Sequence, residues 1–310
     1  MLKKIYAVLF LLLPLGIAAQ YHPDSIRTKH VIVVVIDGPR YSETFGDSAC
    51  TYIPNMGGEL LRESVLYTNF RNNGPTYTNS GHTAITTGRY QRINNGRGSL
   101  PRQPSFFQYY LKQKGEDKNK AWLVSSKGKL ELLANTRDKK WWNTYMPMSY
   151  CGVNGNSAEY QGDFVTLKKI KQVIQDERPN LMLINFLEAD ATAHQNNWEG
   201  YVNGIRHCDE HVKELWDFIQ NDPEMKDQTT LLVTNDHGRH LDGRKEGFKE
   251  HGDGCEGCRH ISLMAFGPDF KKDVRISCEG ELIDISKTIG FLLKFEVPTS
   301  KGRILYEMFR

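Results

Sequence analysis

The sequence predicts an α/β domain with a mostly parallel central sheet, helices on both faces, and a metal site at the carboxyl ends of the strands. Three observations predict it. Residues 31–36 (VIVVVI), 181–186 (LMLINF) and 229–234 (TTLLVT) are apolar and β-branched runs without alternation, as expected of strands covered on both faces. Segments of helical period lie between them, the pattern of strand–helix–strand units. Each run also gives way to a carboxylate at its end: Asp37, Asp190 and Asp236, the last beside His237.

The chain begins with Lys3 and Lys4, an apolar run over residues 5–15, and the small residues Gly16, Ala18 and Ala19. That order predicts a secretory signal peptide over 1–19, too short to span a bilayer, and hence a secreted or periplasmic protein. The expected mature chain, 20–310, suits a single domain. No later run reaches the roughly 18 apolar residues of a membrane helix. Without Lys3 and Lys4, 38 basic residues face 37 acidic ones. A net charge that small argues against a nucleic-acid polymer or an anionic membrane as partner.

Residues 31–36 form the first expected strand, ended by Asp37-Gly38-Pro39. A helix is expected over 54–64, opened by Pro54, and a strand over 65–70. The polar stretch 71–81 leads to a helical segment over 82–87 that Gly88 stops. Residues 104–114 place Phe106, Phe107, Tyr110 and Leu111 on one helical face; 121–125 reads as a strand and 129–134 as helical. Residues 135–162 are irregular and rich in Trp and Tyr. Amphipathic helices follow over 163–175 and 201–220, with the strand 181–186 between them. After the strand 229–234 come a polar, Gly-rich loop over 238–259, a strand over 261–266 and a helix over 281–293.

Asp oxygen and His nitrogen are both zinc ligands, and burying them at a strand end is costly unless something binds them. Asp190 and His194 stand four apart, on one face of a helical turn. Taken singly, each has a plainer reading as a cap or a turn. Their clustering at successive strand ends is what points to metal. The cysteines are Cys50, Cys151, Cys208, Cys255, Cys258 and Cys278. An even number in an exported chain favours disulfides, with Cys255–Cys258 as a local bridge rather than half of a zinc site.

Five segments carry a resemblance: VVVIDG (33–38), PTYTNSGHTAITTG (75–88), EADATAH (188–194), TNDHG (234–238) and HGDG (251–254). In order and rough spacing they resemble the alkaline phosphatase superfamily, in particular its phosphodiesterase/nucleotide pyrophosphatase-like branch. The resemblance implies the alkaline phosphatase-like fold and two Zn2+ ions, another divalent metal being an alternative. Asp190, His194 and His251 would hold one ion; Asp37, Asp236 and His237 the other. His251 is preferred to His260, and His240 is a weaker candidate. Thr78 would be the nucleophile and touch the second ion, giving a phospho-threonine intermediate that water hydrolyses; Ser80 is the less well aimed rival. The amides of Thr78 and Asn79 would bind a phosphate oxygen.

Asn94 and Asn95 are candidates for the phosphate-binding Asn of related diesterases. Ser125-Ser126-Lys127-Gly128-Lys129 is similar to the S-x-K-x-R segment of a group of secreted phosphomonoesterases, with Lys127 and Lys129 available to neutralise a monoester dianion. Trp141, Trp142, Tyr145 and Tyr150 are candidates for a substrate-facing wall. The expected function is an exported phosphate-ester hydrolase, phosphodiesterase or phosphomonoesterase, acting on a small phosphate ester, nucleotides included. The alternatives are a sulfatase or phosphonate hydrolase of the same superfamily, a phosphate-transferring mutase with much the same metal site, or a catalytically silent metal-binding surface protein. A sulfatase is disfavoured because residues 78–82 read TNSGH rather than C/S-x-P-x-R.

Overall fold

Among the described residues, nine strands, β1 His30–Ile36, β2 Ser64–Arg71, β3 Ala121–Ser125, β4 Met148–Cys151, β5 Leu181–Phe186, β6 Thr229–Asn235, β7 His260–Phe266, β8 Val274–Ile276 and β9 Gly280–Glu281, join in one sheet. The structure is a computed structural model that describes residues 25–96, 98–244 and 246–310; the signal peptide expected over 1–19 lies outside the described residues. The sheet order is β4-β3-β5-β1-β6-β7-β2-β8, with β9 beside β2. Only β7 opposes its neighbours β6 and β2; the other pairs among the described residues are parallel.

The period-2 geometry of β1 explains its unbroken apolar run. Val31, Val33 and Val35 enter one core and Ile32, Val34 and Ile36 the other. The first core is covered by α3 (Thr78–Thr87), α4 (Phe106–Lys114) and α9 (Asp284–Leu293), through Ala84, Phe107 and Ile289 among others. The second is covered by α1 (Pro54–Gly57), α2 (Glu59–Arg62), α5 (Asp163–Glu177) and α7 (Trp198–Asn221). Two short helices, α6 (Glu188–His194) and α8 (Glu256–Arg259), lie at the carboxyl ends of the strands. No helix of the described residues is long and apolar enough to cross a membrane.

Several elements differ from expectation for local reasons. The helix expected over 54–64 is split into α1 and α2 at Gly57-Gly58, where the chain lacks the side chains that favour a helix. Helix α3 begins at Thr78, a turn earlier than expected, and α7 begins at Trp198, where the Asn197 side chain accepts from the Gly200 amide. The irregular segment 135–162 supplies β4, which extends the sheet beside β3. All six cysteines carry free thiols, so the expected disulfides do not form; even Cys255 and Cys258 stand with their Sγ atoms 3.5 Å apart. Trp141 packs against Tyr109 of α4 with Tyr145 edge-on to it, while Trp142 and Tyr145 keep exposed faces.

Candidate metal centre

Parallel register sets the site. Ile36 of β1 lies between Phe186 of β5 and Asn235 of β6, so all three strands end together and release Asp37, α6 and Asp236-His237 at one point. Gly38 turns the chain away with φ +71°, and its amide donates to Asp236 Oδ1 at 3.3 Å. A Cβ there would stand 2.7 Å from Arg239 Nη1 and 3.0 Å from Asp190 Oδ1, so both the conformation and the space demand glycine. On the other side, Gly81 lets α3 come against the Asp236 carbonyl, which a Cβ would approach to 2.4 Å.

Two groups of ligand atoms result, Asp37–Asp236–His237 and Asp190–His237–His251. In the first, His237 Nε2 lies 3.3 Å from Asp236 Oδ2 and 3.6 Å from Asp37 Oδ1, all fully buried. In the second, His251 Nε2 lies 3.6 Å from Asp190 Oδ1, and the His237 and His251 rings stack at 3.8 Å. His194 stands at the rim, its Nε2 3.3 Å from Asp190 Oδ1 and 3.2 Å from His251 Nε2, with its side chain 37% exposed. The sharing of His237 between both groups goes beyond the expected division of ligands.

The ring nitrogens are oriented for binding a cation. His237 Nδ1 is 2.9 Å from the Gly238 carbonyl and His251 Nδ1 is 2.8 Å from the Thr76 carbonyl. Each Nδ1 therefore carries the proton and donates it, leaving the Nε2 lone pair to face the carboxylates. Asp37 Oδ1, Asp236 Oδ2 and His237 Nε2 are buried without a hydrogen-bond partner, although the Lys127 ammonium stands 2.9 Å from Asp37 Oδ1. Acceptors that face one another in a dry site repel unless a cation lies among them. That donor set, carboxylates with imidazoles, fits a divalent metal.

The charges tell the same story. Burial and the neighbouring Asp37 push Asp236 up to about 6. Burial holds His237 well below the usual imidazole range and brings His251 down to about 4, so both rings stay neutral and available. Asp190 is buried as well, which by itself would raise its pKa, but Lys127, His194 and Arg239 together hold it well below the carboxylate range. Lys127, buried like the carboxylates, is nonetheless kept charged by Asp190, Asp37 and Asp236.

Thr78 opens α3 and is almost fully buried, with Oγ1 3.4 Å from Lys127 Nζ. The same ammonium reaches Asp190 Oδ2 at 2.5 Å, so it bridges both groups and the Thr78 hydroxyl. Lys129 Nζ donates to the Asn95 carbonyl, and Asn95 Oδ1 accepts from the Asn79 amide, which is thereby not open to phosphate as expected. Asn94 has an exposed side chain whose Oδ1 accepts from the Gly96 amide, and its carbonyl accepts from the Asn79 side chain. Ser80 Oγ is held by the backbone of Ile93, away from the metal groups. His260 stacks on Tyr41 and faces the Thr68 carbonyl, which leaves His251 as the histidine at the centre.

Three residues escaped the sequence reading. His82 lies 3.3 Å from Asp236 Oδ2 through Nδ1 and 3.2 Å from Asn185 Nδ2 through Nε2. Asn185 also donates to Asp37 Oδ2 at 3.1 Å and accepts from Ser125. Arg239 is completely buried, its guanidinium bound to Asp190 and to the Phe248 and Lys249 carbonyls. The four-residue step from Thr78 to His82 was a usable signal for the first; a mid-strand Asn and an Arg after Gly gave none.

Residues 118–297 match the metalloenzyme superfamily. The chain belongs to that superfamily. Curated relatives include the phosphopentomutases of Herpetosiphon aurantiacus, 23% identical over 144 residues, and Clostridium novyi, 25% identical over 136 residues. The aligned segments cover 46% and 44% of this chain but only 33% and 31% of those relatives, about a third of their length. Among solved structures, a variant of the alkaline phosphatase PafA superposes with TM-score 0.70 at 12% identity, over 92% of this chain and 99% of that one. Murine ectonucleotide pyrophosphatase/phosphodiesterase 5 gives 0.65 at 13%, over 91% and 100%, and a phosphonate monoester hydrolase from Silicibacter pomeroyi gives 0.65 at 14%, over 90% and 76%. This metalloenzyme superfamily member therefore has the alkaline phosphatase-like α/β fold expected of it.

Proposed function

We propose that the protein is an exported, two-zinc phosphate-ester hydrolase whose nucleophile is the hydroxyl of Thr78. The observation that carries this reading is the convergence at Thr78: its hydroxyl and the two carboxylate–imidazole groups are linked by one buried ammonium, Lys127. Asp37, Asp236 and His237 would hold one ion, and Asp190, His251 and His194 the other. Bound there, the ions would lower the pKa of the Thr78 hydroxyl and offset charge on the attacking and leaving oxygens. Thr78 Oγ1 attacks phosphorus in line, forming a Thr–O–P bond as the ester P–O bond breaks. Water then cleaves the Thr–O–P bond and restores the hydroxyl. Lys127 would pair with a non-bridging phosphate oxygen, and Lys129, bonded to the Asn95 carbonyl, would add a second positive charge. A cleft of about 390 Å³ lined by Tyr77, Arg92, Ile93, Asn94 and Asn95 lies beside the start of α3 and gives room for the remainder of a small ester such as a nucleotide.

The two lysines favour monoesters, whose extra negative charge needs a counter-charge. A second reading, transfer of phosphate within a sugar phosphate, is favoured by the phosphopentomutase relatives. The test is a panel of chromogenic phosphate monoester, phosphate diester, phosphonate and sulfate, with pentose 1-phosphate alongside and zinc counted per chain. Zinc-dependent release from a phosphate ester supports the reading. Sulfate cleavage alone, isomerisation of the pentose phosphate without release of phosphate, or a zinc-free inert protein contradicts it.

A further inference from the structure

The loop between β6 and β7 carries a second convergence that the candidate centre does not use. His240, Asp253, Cys255 and Cys258 bring ligand atoms within 4.8 Å of one another. Cys255 Sγ and Cys258 Sγ are 3.5 Å apart, Cys258 Sγ and Asp253 Oδ1 3.6 Å, and His240 Nε2 and Asp253 Oδ1 3.2 Å. Zinc bound tetrahedrally, at about 2.3 Å from sulfur and about 2.0 Å from nitrogen or oxygen, spaces its ligands roughly 3.3–3.8 Å apart. We propose that these four side chains bind one zinc ion as a structural site, separate in its ligands from the candidate catalytic centre.

The chemistry selects the metal. Two thiolates favour zinc over magnesium or calcium, and four protein ligands leave no position open for a reacting water. Binding releases the two thiol protons and leaves one net negative charge over two thiolates, one carboxylate and the ion. Arg244, whose guanidinium lies 2.5 Å from Asp253 Oδ2, offsets it.

The position explains what such an ion does. His240 follows His237 by three residues, and Asp253 follows His251 by two. Backbone bonds already tie the two segments, from the His240 amide to the Glu250 carbonyl and from the Gly238 amide to the Cys258 carbonyl. One ion across His240, Asp253 and the first turn of α8 closes the intervening loop and fixes the stacked His237 and His251 rings. Sequence alone pairs only the two cysteines, because His240 and Asp253 reach them through the fold.

The test uses the whole chain with its thiols reduced and Co2+ in place of zinc. The candidate catalytic ligands include no sulfur, so a thiolate-to-cobalt charge-transfer band reports this site alone. The band is expected in the wild type and absent from the Cys255→Ser/Cys258→Ser variant, which should also hold one zinc ion fewer per chain. No band in the reduced wild type overturns the proposal, as does a band that survives in the variant. If the variant does not fold, the wild-type spectrum with thiols counted before and after zinc release decides: two thiols must become reactive as one ion leaves, and release without new thiols contradicts the site.

Discussion

At the scale of single residues, Lys127 joins the most parts of the centre, since its ammonium touches Asp37, Asp190 and Thr78 together. If it pairs with the extra charge of a monoester, Lys127→Ala should cut kcat/KM for a phosphate monoester at least about 10-fold more than for a diester, the loss of a charge-assisted contact to one substrate only. Equal loss on both would assign Lys127 to holding the carboxylates instead. Asp37, Asp190, Asp236 and His237 stood out because each follows an apolar strand run, whereas His251, in the loop before β7, came only from the resemblance carried by HGDG; the fold brings their ligand atoms together. Arg239 and Asn185 did not stand out, since burial of an Arg after a glycine, or of an Asn within an apolar strand, depends on what the fold later packs against them. The thiols taught the converse: Cys255 and Cys258 read as a disulfide until His240 and Asp253 stood beside them.

At the scale of elements, α3 is a helix whose interior glycine is needed. Ala replacing Gly in a helix normally stabilises it by about 1 kcal/mol. At Gly81 the new methyl would meet the Asp236 carbonyl at 2.4 Å. Gly81→Ala should therefore destabilise by about 1–3 kcal/mol, the range for overpacking, with a matching fall in metal retention. A rise in thermal midpoint with full metal content would show that α3 does not need this close approach. Six of the nine described strands were readable from their apolar runs. The split of α1 from α2, the early start of α3 and strands β4, β8 and β9 were not, because the chain at Gly57-Gly58, the contact of Tyr77 with His251, and the pairing of β4 with β3 and of β8 and β9 with β2 are settled by tertiary neighbours.

At the scale of the whole molecule, the buried carboxylates tie stability to metal and to pH. Asp236 rises from its ordinary 3.8 to about 6 in the metal-free fold. A raised folded pKa gives a contribution fully present below the unfolded value and lost as pH rises through the folded one. The metal-free protein thus loses this contribution between about pH 4 and pH 6, while a bound cation favours the charged carboxylate. His251, brought down to about 4, acts in the opposite sense, its contribution growing as pH rises from about 4 to about 6.5. Above about pH 5, however, its ring is neutral in the fold and no proton competes there with a bound cation. The difference in thermal midpoint between metal-loaded and chelated protein should widen as pH rises from about 5 to about 7. A difference independent of pH would separate Asp236 from metal binding.

The Lys127 ammonium links the Thr78 hydroxyl to Asp37 and Asp190, one from each ligand group, and the central claim is that this hydroxyl takes the phosphoryl group. The most direct measurement is to quench the zinc-loaded protein with acid during turnover of a chromogenic phosphate monoester and map phosphorylated peptides by mass. A phosphoryl group on Thr78 is expected, and Thr78→Ala should retain metal while turnover falls by at least about 10³-fold. Turnover preserved in Thr78→Ala, with no phosphoryl group trapped on Thr78 in the wild type, would contradict it.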